Sequence, residues 1–520
     1  MTSSSLRTED TGAPDTTGEP DTGETVRPPR RRTTRVLRWT ALALALLLLG
    51  TAAAGYLYYR HLNNNLAQAP LNLGDSPKPS ATPDAAGRTP LNILLIGSDS
   101  RNTADDLELG GSKGDVGRPP LADVQMLLHV SADRNDMSVI SLPRDTMVPI
   151  PRCTDPVTKK VYPELSLAMA NESLGRGGPG CTVATWMRLT GIPVDHFMMV
   201  DFSGVVAMAD AVGGVPVCVK QNVYSHTASG HGSGLKLKAG THPVKGKQAL
   251  QWLRTRYGFE DGTDVGRTHA QHMYMNSMVR QLRANATLGN PAEMRRLAEA
   301  ATSALTVDDG LGTVKKLYDL SMELQKVPTE RITMTTLPTT PWSQDHNRLV
   351  PAADDADKLV SMVRDDVPLD GRGTKDPGPK ATDPAAPAAE ITVRVENGTG
   401  AGLESPAPER AGAVAGILRD HGFTHTIEEK KAAAEPGTSV LYSGTTLRGD
   451  ALAVAEELNI PAARVRAVDD AQDITLVVGA DWPSGDRFPE PAKREVPKSA
   501  AVLGGDKTDA CMEIQEGFTW

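Results

Sequence analysis

The chain has 520 residues, 39% apolar and 4% aromatic, with 48 glycines, 38 prolines and a mean hydropathy of −0.30. Ordinary globular chains are about 45–50% apolar, so much of this one must lie outside any packed core. A net charge of −9 and a pI near 5.7 exclude a general nucleic-acid binder, and four cysteines without a CxxC pair exclude a disulfide scaffold or a structural zinc site.

Residues 1–38 begin as a disordered tail of Ser, Thr, Gly, Pro and acids, which bury too little apolar surface to offset the entropy of ordering. The tail ends in Arg27, Arg30, Arg31, Arg32, Arg35 and Arg38. Residues 39–59 are uncharged and rich in Ala and Leu. At about 1.5 Å each they span about 30 Å, the hydrocarbon thickness of a bilayer. Trp39 at one end and Tyr56, Tyr58 and Tyr59 at the other suit the membrane interfaces. Arginines before the span place the N-terminus in the cytoplasm and the body outside the cell membrane, as a single-pass protein. The competing reading is a signal peptide cleaved near Ala52-Ala53-Ala54. Residues 60–89 read as a linker.

Residues 90–365 read as one α/β domain, a mixed central sheet flanked by helices. Ile93–Ile96 is a buried strand, and Asp123–Val130 with Met137–Leu142 form a hairpin turning at Ser131–Asp136. Helices follow near Thr182–Thr190, Phe202–Val212 and Arg267–Ala284, with mixed helix over 297–325. Residues 366–389 read as a linker. Residues 390–480 repeat strand, helix and strand in a βαββαβ order, a small second domain. Residues 481–520 lack periodicity and read as a disordered tail.

No GxSxG, HExxH or P-loop is present. Asp and Arg instead recur at the ends of the predicted strands. With Val130 paired to Met137, Asp123 falls opposite Arg144. Arg254 and Arg256 share a face only if the helix has ended before them, whereas Arg267 and Gln271, four apart, share a helix face. Asp264 reads as the cap of that helix. Arginines converging with a few carboxylates suit a phosphate ester and a divalent metal, since guanidinium grips phosphate bidentately and magnesium takes one or two carboxylates. Ion pairing alone is the other reading of any single pair.

The series Leu95-Ile-Gly-Ser-Asp-Ser-Arg101, Ala122-Asp123, Ser141-Leu-Pro-Arg-Asp145, Gly177-Gly178, Leu189–His196, Val200-Asp-Phe202, Gly213-Gly-Val215, Ala249–Tyr257 and Asp264-Val-Gly-Arg267 resembles the LytR–CpsA–Psr family. Val395-Glu-Asn-Gly-Thr-Gly400 in the second block resembles the LytR C-terminal domain. The resemblance implies a phosphotransferase that moves a glycopolymer from a polyprenyl-pyrophosphate carrier onto a muramic acid hydroxyl of peptidoglycan. It implies that Asp99 and Asp123 hold Mg²⁺, or Mn²⁺, and that Arg144, Arg254, Arg256, Arg267 and Gln271 grip the pyrophosphate. Arg144, Asp145 and Arg101 are then the catalytic set, and Met273, Met275 and Met278 are candidates for a lipid pocket. A hydrolase that uses water on the same pyrophosphate, or a wall- or lipid-binding regulator without turnover, would use the same residues.

Two departures reduce positive charge. Glu164-Leu-Ser-Leu-Ala168 stands where the family carries a lysine, with Lys159, Lys160 or Arg176 as substitutes, and Ala270 precedes Gln271 where the family has arginine. Ser100–Pro120 is a candidate lid. Cys181 and Cys218 are candidates for a disulfide, with Cys153 the other partner for either and Cys511 in the tail.

Overall fold

The computed structural model describes residues 30–74, 76–79, 88–100, 117–285, 291–372, 383–399, 406–429, 435, 437–444, 447–468, 473–489, 495–507 and 510–520. Met1–Arg60 and His61–Trp520 are separate compact units. Helix α1 runs Arg30–Asn65, and its Arg35–Asn65 part is long and apolar enough to cross a membrane. The hydroxyls of Thr40 and Thr51 donate to Val36 O and Leu47 O, each at 3.0 Å. The hydroxyls of both threonines in the apolar stretch are thus satisfied within the helix, as a lipid environment requires.

The main sheet has eight strands: β1 Ala67–Gln68, β2 Leu91–Ser98, β3 Ala122–Val130, β4 Met137–Ser141, β5 His196–Val200, β6 Leu305–Val307, β7 Ile332–Thr336 and, from much later in the chain, Leu503–Gly504. Their order is β1-β6-β5-β2-β3-β4-β7-Leu503–Gly504. β2 and β3 pair antiparallel, as do β3 and β4, whereas β2 with β5 and β4 with β7 are parallel. The sheet is mixed, as expected. Alternation splits its side chains between two cores. Leu94, Ile96, Leu127 and Ile140 face helices α2 (Pro179–Thr190) and α8 (Ala353–Arg364), while Ile93, Met126, Leu128 and Val139 pack with Leu320.

Sequence chemistry sets the helix limits. Pro179 opens α2, where its missing N–H costs nothing, and Gly191 closes it at φ +66°. Asp201 caps α3 (Phe202–Ala211) by accepting from Gly204 N at 2.9 Å. α4 spans Lys247–Arg254, α5 Asp264–Asn285, α6 Pro291–Ala304 and α7 Val314–Gln325.

Several expectations require correction. The first half of the expected linker 60–89, residues 60–74, is not a free linker. β1 pairs with β6, and Asn72 passes so close to α2 that a Cβ on Gly180 would lie 2.3 Å from its carbonyl oxygen. The start of the 366–389 linker belongs to the domain too: Leu369 is buried, and Asp366 accepts from Ala132 N at 3.0 Å. In the second domain, β8 (Thr392–Gly398), α9 (Arg410–Asp420), β9 (His425–Glu429), β10 (Ser439–Tyr442), α10 (Arg448–Glu457), β11 (Val465–Ala467) and β12 (Ile474–Gly479) form a five-stranded sheet, β9-β8-β12-β10-β11. It carries one strand more than βαββαβ, because β11, with three residues, is too short to show a period.

The tail expected to be disordered is also built in. Trp482 and Phe488 complete the second core, and Leu503–Gly504 pairs with β7. The disulfide pattern differs from the expected Cys181–Cys218 as well: Cys153 pairs with Cys181, and Cys218 with Cys511. Cys218 lies on the ribbon of Val215–Val219 with Gly240–Val244, and the chain from Met512 onward runs beside that ribbon, out of reach of any local periodicity.

Candidate functional site

β2 and β4 end, and β3 begins, at one end of the sheet, so their polar flanks converge. The β2–β3 register shifts between Gly97 and Ser98, which leaves Asp123 as the extra residue of a bulge. Gly97 permits this close pairing, since a Cβ there would lie 2.8 Å from Val124 Cβ. Asp99 is buried; it accepts from Leu121 N at 2.6 Å and pairs with Arg118. The β3–β4 register matches the expected one, with Val130 opposite Met137 and Met126 opposite Ser141. Continued outward, it sets Asp123 against Arg144, Oδ1 to Nη1 at 3.0 Å.

Arg144 is the centre of the cluster. Its Nε lies 3.6 Å from Asp145 and 3.9 Å from Asp264. Asp264, at the start of α5, pairs with Arg267 one turn later at 2.5 Å, and both are more than nine-tenths buried. α4 ends at Arg254 itself, with Thr255 extended, so Arg254 is still helical and the two arginines are not aimed together as expected. The two arginines do different things. Arg254 lies over the Phe202 ring at 5.1 Å, whereas Arg256 donates to Gly262 O at 3.3 Å and acts electrostatically on Asp145. Arg348 comes from the hairpin of Thr339–Trp342 with Asp345–Pro351 and stands 4.0 Å from Asp145.

The charges therefore alternate, with Arg144, Arg256, Arg267 and Arg348 around Asp123, Asp145 and Asp264, and cations exceed anions by one. Burial and the neighbouring Asp264 raise the Asp145 carboxyl above its ordinary value, against Arg144, Arg267 and Arg256. Burial lowers the Arg267 guanidinium, with Asp264 the main counterweight. Burial also works against Arg144, but Asp123, Asp145 and Asp264 together push it up. Arg144 Nε and Arg267 Nε are shut off from solvent without a hydrogen bond among the described residues. Both face the carboxylates of the cluster, whose Asp264 oxygens are likewise buried without a hydrogen bond.

Other expected residues fall outside the cluster. Arg101, with most of Ser100–Pro120, lies outside the described residues. Gln271 donates to Leu253 O at 3.2 Å and braces the end of α4. Glu164 pairs with Arg188, and Ala270 is core. Lys160 and Arg176 stand over the Tyr162 ring, and Lys159 donates to Pro156 O. None of these bonds puts back the positive charge lost at 164 and 270. Met273 and Met278 pack under the Val215–Val219 ribbon, whereas Met275 packs under the main sheet, so the three do not line one pocket.

Asp264, Arg348 and His272 were missed as contributors. Asp264 reads as a cap, and Arg348 belongs to no motif. His272 and Ser141 meet only through the fold, Nε2 to Oγ at 2.6 Å, both buried. Burial lowers the imidazole to about 3, so it is neutral and serves to tie α5 to the end of β4.

No three His, Cys, Asp or Glu side chains converge as a metal cage among the described residues. Asp99 and Asp123, on adjoining strand ends, are nonetheless the number of carboxylates Mg²⁺ takes when waters and phosphate oxygens complete its shell.

A model of the LytR_cpsA_psr family matches residues 57–365, and one described as LytR cell envelope-related transcriptional attenuator matches residues 390–482. The chain is 27% identical over 477 residues to the cell wall biosynthesis protein LcpA of Corynebacterium glutamicum, covering 85% of this chain and 86% of that one. It is 24% identical over 286 residues to the polyisoprenyl-teichoic acid–peptidoglycan teichoic acid transferase TagU of Bacillus mycoides, covering 55% and 83%. Among solved structures, a LytR-Csp2A-Psr enzyme from Actinomyces oris is 22% identical with a TM-score of 0.42, covering 57% of this chain and 95% of that one.

Proposed function

Since the chain belongs to the LytR–CpsA–Psr family, we propose that it transfers a glycopolymer from a polyprenyl-pyrophosphate carrier to peptidoglycan. The observation that carries this reading is the arginine–aspartate cluster at the ends of β2, β3 and β4, with Arg144 at its centre. The related LcpA and TagU, named for wall biosynthesis and for teichoic acid transfer to peptidoglycan, support it.

A muramic acid hydroxyl oxygen attacks the phosphorus that carries the glycan. The bond from that phosphorus to the bridging oxygen breaks, polyprenyl phosphate leaves with the bridging oxygen, and a phosphodiester remains on the acceptor. Arg144, Arg256 and Arg267 hold the pyrophosphate oxygens, with Arg254 at the end of α4 as a further candidate, so positioning and charge neutralisation supply the catalysis. We assign the hydroxyl proton to Asp145, whose carboxyl is raised above its ordinary value by burial and Asp264, making it a stronger base. Mg²⁺, for which Asp99 and Asp123 are the ligands to test, would neutralise pyrophosphate charge. Arginines 27–38 support an N-terminus in the cytoplasm, and two disulfides in the body support an oxidising, extracytoplasmic location.

The test incubates the full chain in detergent with polyprenyl-pyrophosphate oligosaccharide, Mg²⁺ and peptidoglycan fragments. Glycan should appear on the fragments, and Asp123→Ala or Arg254→Ala should lower transfer at least about tenfold, or about 1.4 kcal/mol of barrier. Release of free glycan phosphate alone would make the chain a hydrolase, and bound lipid without turnover would make it a regulator. Unchanged transfer in either variant would remove that residue from the site.

A further inference from the structure

Beside the charge cluster lies a row of aromatic side chains that the reaction above does not use. Among the described residues of His61–Trp520, the exposed Phe, Tyr and Trp residues are Tyr224, Tyr257, Tyr318 and Trp520. Three of these four share one surface, in a chain with few aromatics.

The row begins in the site. Tyr257 follows Arg256, whose guanidinium lies 5.9 Å from its ring. Phe518 stacks on Tyr257, with centroids 6.4 Å apart and planes 17° from parallel. The Phe518 carbonyl accepts from Tyr224 N at 2.8 Å, and Tyr224 stacks on His226 at 5.3 Å and 19°. Trp520 donates from Nε1 to Val223 O at 3.1 Å, and Lys236 Nζ lies 4.2 Å from its ring and 5.3 Å from that of Tyr224. The segment that brings Phe518 and Trp520 here is fixed by the Cys218–Cys511 disulfide and by backbone pairing of Met512 with Val219 and Ile514 with Phe259. The rings are held in place before any ligand arrives, which lowers the ordering cost of binding.

Exposed apolar patches on soluble surfaces mark binding sites. This one sets exposed apolar ring surface beside the polar groups of Lys236, His226 and Arg256, which suits the alternating C–H faces and hydroxyls of linked pyranose rings. The site's arginines grip the donor through its pyrophosphate. A β-linked N-acetylhexosamine acceptor strand offers them little charge and needs affinity of another kind. We propose that Tyr257, Phe518, Tyr224 and Trp520 form a subsite for the acceptor glycan strand, leading to the pyrophosphate cluster at Arg256. The assignment to the acceptor rests on the transfer reading above; the affinity for linked N-acetylhexosamines does not.

Calorimetric titration of the full chain in detergent with chitohexaose, a soluble β-1,4-linked N-acetylglucosamine hexamer, tests the affinity without turnover. Tyr257→Leu with Trp520→Leu should weaken binding at least tenfold, whereas Trp520→Phe, which keeps a ring, should stay within threefold. Asp123→Asn should bind the hexamer like the parent. In transfer assays the double variant should raise the acceptor KM at least tenfold with kcat within twofold and donor KM unchanged. No measurable binding by the parent, or parent-like binding by the double variant, overturns the subsite. So does a double variant that loses binding to phosphatidylglycerol vesicles but not to the hexamer, because the row would then be a membrane contact. If no protein transfers glycan but the titrations behave as described, the proposed function fails and the glycan subsite stands.

Discussion

Replacing Asp264 by Asn removes one charge from a pair that is more than nine-tenths buried and keeps its shape. Arg267 is then left in the interior with its nearest counter-ion gone, and burial already works against its charge. Breaking a buried ion pair from one side costs about 3–5 kcal/mol, and because Asp123 and Asp145 still favour the guanidinium we expect about 2–3 kcal/mol here. For a domain of about 300 residues that lowers the melting temperature by about 3–5 °C. Calorimetric or fluorescence melts of the full chain in detergent read the shift directly. Inorganic pyrophosphate should recover part of it, since it offers the stranded cation new oxygens. Asp264→Leu combined with Arg267→Met should melt within about 2 °C of the parent, since apolar replacement of a buried pair is often neutral, yet transfer no glycan. A single variant that melts within about 1 °C of the parent would refute the reasoning, because Arg267 would then be solvated and Asp264 would be an ordinary cap.

Three further outcomes follow from the same geometry. Asp145→Asn should lower kcat at least about a hundredfold, the usual scale of acid–base assistance, and abolish the limb on which the parent's rate rises with pH, because the base acts only when deprotonated; an unchanged limb assigns the proton elsewhere. Cys218→Ser with Cys511→Ser opens a loop of 293 residues, which in the chain-entropy view costs at most about 6 kcal/mol and which chemical denaturation measures. Far from the site, burial and the nearby Asp366 raise Asp136 from 3.8 to about 7. The folded state therefore holds its proton between those values while the unfolded state does not. That contribution to stability is complete below about 4 and is lost as the pH rises through about 7. Asp136→Asn should accordingly leave stability at pH 4 unchanged and raise it at pH 8, by at most about 4 kcal/mol; a gain at pH 4 instead would show that titration is not the cause.

How much of the site was legible depended on how far apart its members lie in sequence. The Asp123–Arg144 pair could be counted from a hairpin, because a short turn fixes the register and the two-residue period does the rest. That a helix stops near Arg254 was legible for a similar local reason, but it stops one residue later than the shared face of Arg254 and Arg256 needed. Arg348 was not, because it reaches Asp145 only after the hairpin Thr339–Pro351 has docked against it, and Leu349 N donating to Asp145 O is the contact that docks it. Asp264 was visible but misjudged: cap and counter-ion have the same local signature, and only its burial beside Arg144 and Arg267 separates them.

By itself, the sequence determined what short-range chemistry controls: the apolar span, the strands of β2 to β4, the ends of α2 and α3, and a surplus of Arg and Asp at strand ends. Each depends on residues a few positions apart, where periodicity, capping and turn preferences act. The fold alone decided which distant residues meet. Cys218 found Cys511 rather than Cys181, residues 495–520 returned to the body, and Phe518 and Trp520 came to stand beside Arg256's loop. Such partners are chosen by which arrangement buries the most apolar surface and pairs the most backbone, and that sum runs over the whole chain.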